Sequence, residues 1–455
     1  MSAIVIDNCY IATVNSVGEE HESGYIVIED GEISAVGAGV APEVGGVRRV
    51  DASGCIATPG FVNSHHHLYQ WLTRGRAVDS TLFEWLVELY PVWAGIDEEV
   101  EYAAARAGLA TLAGSGCTTV VDHHYVFPRG VGDLLDAGVR AAREVGLRFN
   151  PTRGSMDLGE SEGGLPPDSV VEKLDDILAA SEEAVDRYHD PSPGSMLRVA
   201  LAPCSPFSVT DELMKESAEL ARKKGVRLHT HLAETPDEDV FCREKFGCRP
   251  VEYLEGLGWI GPDVWLAHCV HINPDEAKRF GEIGAGVAHC PSSNGRLGAG
   301  IAPVRELLDA GAAVGLGVDG GASNERGELG PELRQALLAA RYRGGPTALT
   351  VRESLAMATI HGARCLGRED EIGSIEVGKR ADIALWNLEE VGFAGIVDPV
   401  AALVLGPDRP VQMLIVDGEV IVEEKQLLTA DLHEVAESLK QASAKVLARS
   451  EGAKP

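Results

Sequence analysis

The 455-residue chain has no C-x-x-C pair, no apolar run of the roughly 18 residues that a membrane-spanning helix needs, and a deficit of positive charge. Its nine cysteines are scattered and odd in number. That pattern argues against a disulfide framework or a thiolate zinc site and leaves most of them as small buried hydrophobes. With 40 basic against 70 acidic residues, the formal charge of -30 argues against a nucleic-acid backbone or an anionic membrane as partner. Aromatics reach only 5%, and no basic stripe with interleaved aromatics appears. The opening stretch MSAIVIDNCYIATV lacks a basic region followed by a long apolar run, so the expected location is cytoplasmic.

What is present is the composition of a globular protein, 45% hydrophobic, in a chain long enough for a large barrel plus a smaller unit. Residues 1–57 alternate apolar and polar around turn signals, with Glu29-Asp30-Gly31 marking a hairpin. The same texture returns in 366–427, in "GSIEVGKRADIALWNL" and "VQMLIVDGEVIVEEKQ". The expectation is one small β-sandwich domain built from both terminal segments, with a helix over 428–455 that places Leu432, Val435, Leu439 and Val446 on one side.

Between them, over 58–365, short apolar runs alternate with helical stretches. The runs are "GFVNSH", "TTVVDHH", "LRFNPTRG", "LRVALAPCSPF", "VRLHTHLAE", "VWLAHC", "AGVAHCPSSN" and "AVGLGVDG". Among the intervening stretches, Asp97 is expected to cap a helix, and Ser169 with Glu172 to form a capping box. Eight such units predict an α/β fold, a (β/α)8 TIM-type barrel. Two stretches are less regular. Residues 71–96 carry Trp71, Trp85 and Trp93, either as a hydrophobic wall over the site or as an extra helix packed on the barrel or on another subunit. Residues 155–168 read as a mobile loop at the same end of the barrel.

Polar residues gather at the C-terminal ends of these runs: His65 and His67 after the first, His229, His231 and Glu234 around the fifth, His268 on the sixth, His289 on the seventh and Asp319 on the eighth. Every second side chain of a strand shares a face, so His65 and His67 can converge while His66 faces away. Imidazoles plus a carboxylate suit a zinc-like divalent ion with one position open. Isolated histidines such as His123, His124 and His361 read as structural.

The motifs "PGFVNSHHH", "HTHLAE", "AHCVH", "HCPSSN", "VGLGVDGGASN" and "GSIEVGKRADIALW", in this order over nearly the whole chain, resemble the amidohydrolase superfamily, in its branch of aminohydrolases that deaminate purines and related heterocycles. The resemblance implies His65, His67, His231 and Asp319 as ligands of one divalent metal, zinc or iron(II), and Glu234 as proton shuttle. His268 would stand beside the activated water, and His229 behind the ligands. The fourth strand ends "APCSPF", without the lysine or glutamate expected of two-metal members, so one ion is expected. The chemistry is coherent: such an ion lowers the pKa of water from 15.7 to about 7. Asp319 can take the proton, His268 can stabilise the developing oxyanion, and Glu234 can protonate the ring nitrogen beside a poorly leaving amine.

The substrate expected is a small heterocycle. "HHHLYQ", "LPPDSVVE", "EKFG" and "DVWLAHCVH" are most similar to 8-oxoguanine deaminases, which implies 8-oxoguanine and water giving urate and ammonia. Triazine amino- or chlorohydrolysis and deamination of guanine, isoguanine or pterins stay open, and a non-catalytic relative is disfavoured because every expected ligand is present. Gln70 can match the donor-acceptor edge of a purine or cap a helix start. The resemblance places Cys204 in the purine pocket, where a packed thiol is the alternative; Arg153 would bond a ring carbonyl or pair with an acidic loop residue. His289 completes the expected substrate set, and similar proteins imply a homo-oligomer, dimer or larger.

Overall fold

The computed structural model describes residues 3–452. The first segment supplies five strands, β1 (Ile4–Ala12), β2 (Glu20–Glu29), β3 (Glu32–Ala38), β4 (Arg48–Asp51) and β5 (Cys55–Pro59). Asp30 and Gly31 take left-handed φ values of 51° and 80° in the tight turn joining β2 to β3, as the hairpin requires. The barrel follows with β6 (Phe61–Asn63), β7 (Cys117–His124), β8 (Arg148–Ser155), β9 (Ala200–Pro203), β10 (Leu228–Leu232), β11 (Val264–His268), β12 (Gly286–His289) and β13 (Ala313–Leu316). The last strands, β14 (Ile383–Asn387), β15 (Met413–Val416), β16 (Glu419–Glu423) and β17 (Gln426–Leu427), return to the first segment, where β14 pairs antiparallel with β5.

The eight barrel strands pair in parallel, each with its neighbours in sequence. Beyond the ladder, Ser64 N donates to the Leu316 carbonyl at 2.9 Å and draws β6 toward β13, so the sheet nearly closes. All the expected strands fall on the barrel runs. The terminal strands form one mixed nine-stranded sheet. β1 pairs with β4 through Ile4–Asp7 and with β5 through Tyr10 and Ile11, so one long strand joins two halves. Ile6, Ile26 and Ile33 from one half and Ala57, Ile383 and Met413 from the other share one apolar cluster, as the layers of a sandwich do.

Asp97 caps the helix Glu98–Gly114, its carboxylate accepting from Val100 N at 3.0 Å. The capping box expected at Ser169 and Glu172 does not form: the helix starts at Leu174, and Glu172 is engaged by Arg153 instead. The loop between β8 and that helix contains a short 3-10 turn, with Asp168 accepting from Ser161 N and Oγ at 3.2 and 3.0 Å.

The segment 71–96 folds as a 3-10 turn (Leu68–Thr73) and a helix (Leu82–Trp93) over the barrel's C-terminal end. All three indoles are buried and anchored: Trp71 Nε1 to His66 Nε2 at 3.2 Å, Trp85 Nε1 to the Ala322 carbonyl at 3.2 Å and Trp93 Nε1 to Thr73 Oγ1 at 3.0 Å. Burial of each such side chain contributes about 1.5–3 kcal/mol, which makes this layer a fixed part of the fold. The last helix, Leu432–Gly452, packs on it through Val435, Ala442 and Val446. Leu439 is partly buried there, whereas Leu432, expected on the packed side, is 49% exposed. Among the described residues no helix is long and apolar enough to cross a membrane.

Candidate active site

β6 ends at Asn63, so the three histidines follow the strand instead of lying in it. Neighbouring backbone holds them: His123 N donates to the His66 carbonyl at 2.6 Å and Asp319 N to the His65 carbonyl at 3.1 Å. The rings of His65 and His67 converge with centroids 4.7 Å apart, as expected, while His66 turns away and accepts from Trp71. The expected convergence is therefore present, but cross-strand hydrogen bonds fix it in place of strand alternation.

Four donor atoms meet above the barrel. His67 Nε2 lies 3.1 Å from His231 Nε2 and 3.3 Å from Asp319 Oδ1, and His65 Nε2 lies 3.4 Å from the same oxygen. Ligands about 2.0–2.2 Å from one zinc ion stand roughly 2.8–3.8 Å apart at angles of about 90–120°, so the spacing fits a single ion with room for a water. The protons fit as well. His67 Nδ1 donates to the His123 carbonyl at 2.7 Å and His231 Nδ1 to the Cys204 carbonyl at 2.6 Å, which leaves each Nε2 with its lone pair.

His65 is oriented by a longer relay. The Trp265 carbonyl can only accept, so His229 Nδ1, at 2.8 Å, donates to it. Burial holds His229 neutral, its pKa down to about 3. Its Nε2 then accepts from His65 Nδ1 at 2.8 Å, and His65 Nε2 is left buried without any partner. That orphaned lone pair, with two like it beside a carboxylate, is the donor set of a divalent metal.

Burial opposes ionisation of Asp319, and a cation held beside it would favour the carboxylate. Ser293 Oγ and Gly320 N donate to it, at 2.6 and 2.7 Å. His268 is fixed by Nδ1 against Asn294 Oδ1 at 3.0 Å and turns Nε2 toward Glu234 Oε2 at 3.6 Å and Asp319 Oδ2 at 3.9 Å. Burial, reinforced by Asp319, pushes Glu234 up to about 8, so it carries a proton at neutrality. Two carboxyl groups in one cavity thus sit in different surroundings, Glu234 driven by burial toward its acid form and Asp319 held by two hydrogen-bond donors, the kind of separation that acid-base catalysis uses.

Backbone strain is found at the same strand ends. Ala233, His268, Cys269 and Asp319 have φ values of 50°, 71°, 48° and 63°, each a conformation that costs about 1–3 kcal/mol outside glycine. Hydrogen bonds compensate locally: Glu238 accepts from Ala233 N and Glu234 N at 2.8 and 3.0 Å.

The donors open into a cavity whose walls include Leu82, Trp85, Leu86 and Tyr90 of the overlying layer, with Tyr125 and Phe207. The segment 71–96 is therefore both the hydrophobic wall and a packed layer. Gln70 and Cys204 line the cavity. The Gln70 amide oxygen is buried without a partner, and Gly320 makes room for it, since a Cβ there would lie 1.7 Å from that oxygen. Burial pushes the Cys204 thiol up to about 12, so it meets the cavity as a neutral group.

Two expected substrate residues are not brought to this cavity. Arg153 forms a two-pronged ion pair with Glu172 at 2.7 and 2.9 Å and lies over the Phe127 ring at 3.7 Å. This is the acidic-loop pairing left open by the sequence. His289 is buried at the end of β12, outside the cavity wall, with neither ring nitrogen partnered.

The sequence reading passed over the groups that hold the ligands. Ser293 and Asn294 were visible only as part of "HCPSSN", and no pattern marked Trp265 or Cys204 as carbonyl acceptors for histidines. Tyr90 and Tyr125 lie at no ligand spacing at all.

Comparison with known proteins gives the same picture. The amidohydrolase family model matches residues 56–421. The chain is 49% identical over 408 residues to an 8-oxoguanine deaminase of Pseudomonas aeruginosa, covering 88% of this chain and 91% of that one. It is 39% identical to an isoxanthopterin deaminase from an unknown prokaryotic organism, over 89% of this chain and 88% of that one. The crystal structure of the atrazine chlorohydrolase of Arthrobacter aurescens, complexed with zinc, superimposes with a TM-score of 0.93 at 36% identity, covering 97% of this chain and 100% of that one.

Proposed function

The chain belongs to the amidohydrolase family, and we propose that it is a hydrolytic deaminase using one zinc ion to convert 8-oxoguanine and water into urate and ammonia. The observation that carries the reading is the meeting of His67 Nε2 with His231 Nε2 and Asp319 Oδ1, and of His65 Nε2 with the same oxygen, beside a buried Glu234 in one aromatic-walled cavity. Zinc held by His65, His67, His231 and Asp319 would polarise a water, lowering its pKa to about 7.

The side chains supply the rest of the chemistry. Asp319, held by Ser293, takes the proton of the attacking water. Glu234 gives its proton to the ring nitrogen beside the amino-bearing carbon and afterwards relays one to the amine, so that the C–N bond breaks with ammonia as leaving group. His268 faces both carboxyl groups and stabilises charge on the oxygen being added. Trp85, Leu86 and Phe207 enclose a flat ring, while the unpartnered Gln70 amide reads its hydrogen-bonding edge. The identity to the 8-oxoguanine deaminase, higher than that to the isoxanthopterin deaminase, supports a purine over a pterin.

The test is ammonia release and the ultraviolet spectrum of zinc-loaded protein offered 8-oxoguanine, guanine, isoxanthopterin and hydroxylated amino-triazines in parallel. The highest kcat/KM is expected with 8-oxoguanine, with urate as product. Faster turnover of a pterin or triazine would keep the reaction type and overturn the substrate.

A further inference from the structure

Beside the turn that carries Gln70 lies a second buried cluster: Glu101 of the helix Glu98–Gly114, with Asp122 and His124 of β7. One donor atom from each lies within 4.8 Å of the other two, and none of the three side chains is more than 2% exposed. His124 Nε2 donates to the Val126 carbonyl at 2.9 Å, so in the neutral ring Nδ1 turns its lone pair toward Glu101 Oε1, 3.5 Å away. A charge-assisted hydrogen bond would bring such atoms to about 2.7–2.9 Å. Neither Glu101 oxygen nor His124 Nδ1 has a hydrogen-bond partner. Asp122 accepts from Leu68 N at 2.9 Å, and among the described residues no lysine or arginine pairs with Glu101 or Asp122.

Two carboxylates and one imidazole are enclosed this way, and the counter-charge within the cluster can come only from His124, whose pKa, against the opposing effect of burial, Glu101 raises. Burial pushes the Asp122 carboxyl up to about 7, with Glu101 adding to it and His124 opposing it. The pattern repeats that of the catalytic donors: an imidazole fixed through one nitrogen by a backbone carbonyl, its other nitrogen unpartnered, and oxygen donors too far for hydrogen bonds yet at the spacing of ligands around one ion.

We propose that Glu101, Asp122 and His124 form a second, structural divalent-cation site. Two carboxylate oxygens and one imidazole nitrogen suit zinc, and with a divalent ion the site is electrically neutral, as burial demands. The rings of Tyr69 and Phe127 lie 5.1 and 4.8 Å from the His124 ring and cover it, which separates this site from the substrate cavity. The ion ties the helix Glu98–Gly114 to β7, and Asp122 extends the tie to the turn bearing Gln70 through Leu68 N.

The experiment is metal counting on the full chain saturated with zinc and desalted, together with anomalous diffraction at the zinc edge. The wild type is expected to hold about two equivalents, and Glu101→Gln or His124→Gln about one. The second anomalous peak should fall between Glu101, Asp122 and His124. A wild type that retains a single equivalent, or a map with a peak only at the catalytic histidines, overturns the proposal and leaves a Glu101–His124 ion pair in its place. The wild-type count and map decide the matter even if the variants fail to fold, and neither depends on which substrate is turned over.

Discussion

At the N-terminal end of β8, Arg148 is fully buried, and every guanidinium nitrogen has a partner: Nε and Nη2 meet Asp382 at 3.1 and 3.0 Å, Nη2 also reaches Asp417 at 3.1 Å, and Nη1 donates to the carbonyls of Gly194 and Ser195 at 2.6 and 2.8 Å. At the opposite end, His65 Nε2 is just as buried and has none. Both ends of one barrel enclose charge; Arg148 at the lower end has every donor paired, although Arg368 beside it leaves Nε and Nη1 without a partner. Paired charge there joins the barrel to the strand region before β14, so its role is mechanical. Lone pairs left free at the upper end, on a backbone strained at His268 and Asp319, are a reservoir for a ligand. A buried ionisable group is thus read by what remains unpaired on it, more than by its burial.

Changes at the upper end should remove chemistry without unfolding the chain, and the largest effect should come from the donors. His231→Ala, or withdrawal of metal by a chelator, is expected to lower kcat/KM by at least about a thousandfold, since several kcal/mol of transition-state stabilisation depend on the ion. Metal content and deamination rate measured on the same sample check this. Glu234→Gln should reduce kcat by about 10²–10⁴ while zinc content holds. Its acid form is the active one, so wild-type kcat should fall as pH rises through about 8, and the variant should lack that limb.

The lower end should behave in the opposite way. Arg148→Met leaves Asp382 buried without its partner and should cost about 3–5 kcal/mol in denaturant unfolding, with kcat per folded molecule unchanged. A smaller effect at the upper end tests the histidine relay: His229→Leu frees the His65 tautomer and should weaken zinc affinity by about 10–100-fold. The smallest is expected from Arg153→Ala, which should leave kcat/KM for 8-oxoguanine within about twofold, because the side chain faces Glu172 outside the cavity. A larger loss there would place Arg153 at the substrate after all.

Much of the candidate site was legible in the chain. Histidines and acids at the ends of five of eight apolar runs converge when those runs close into a parallel barrel, and the residue types suit a divalent metal. His65, His67, His231, Glu234, His268 and Asp319 could be singled out because each lies at such an end. Arg153 and His289 lie at strand ends too, and position along a strand does not say whether a side chain reaches inward or finds a nearer partner.

The sequence alone determined the barrel and the terminal sheet and marked the candidate ligands and a candidate acid-base pair, because hydrophobic periodicity and residue chemistry are local properties that survive in one dimension. Only the tertiary structure decided which nitrogen of each histidine is free, that burial drives Glu234 toward its acid form, and that the aromatic segment walls the cavity. Those outcomes depend on carbonyls, burial and neighbouring charge from elements far apart in the chain, brought together only by folding.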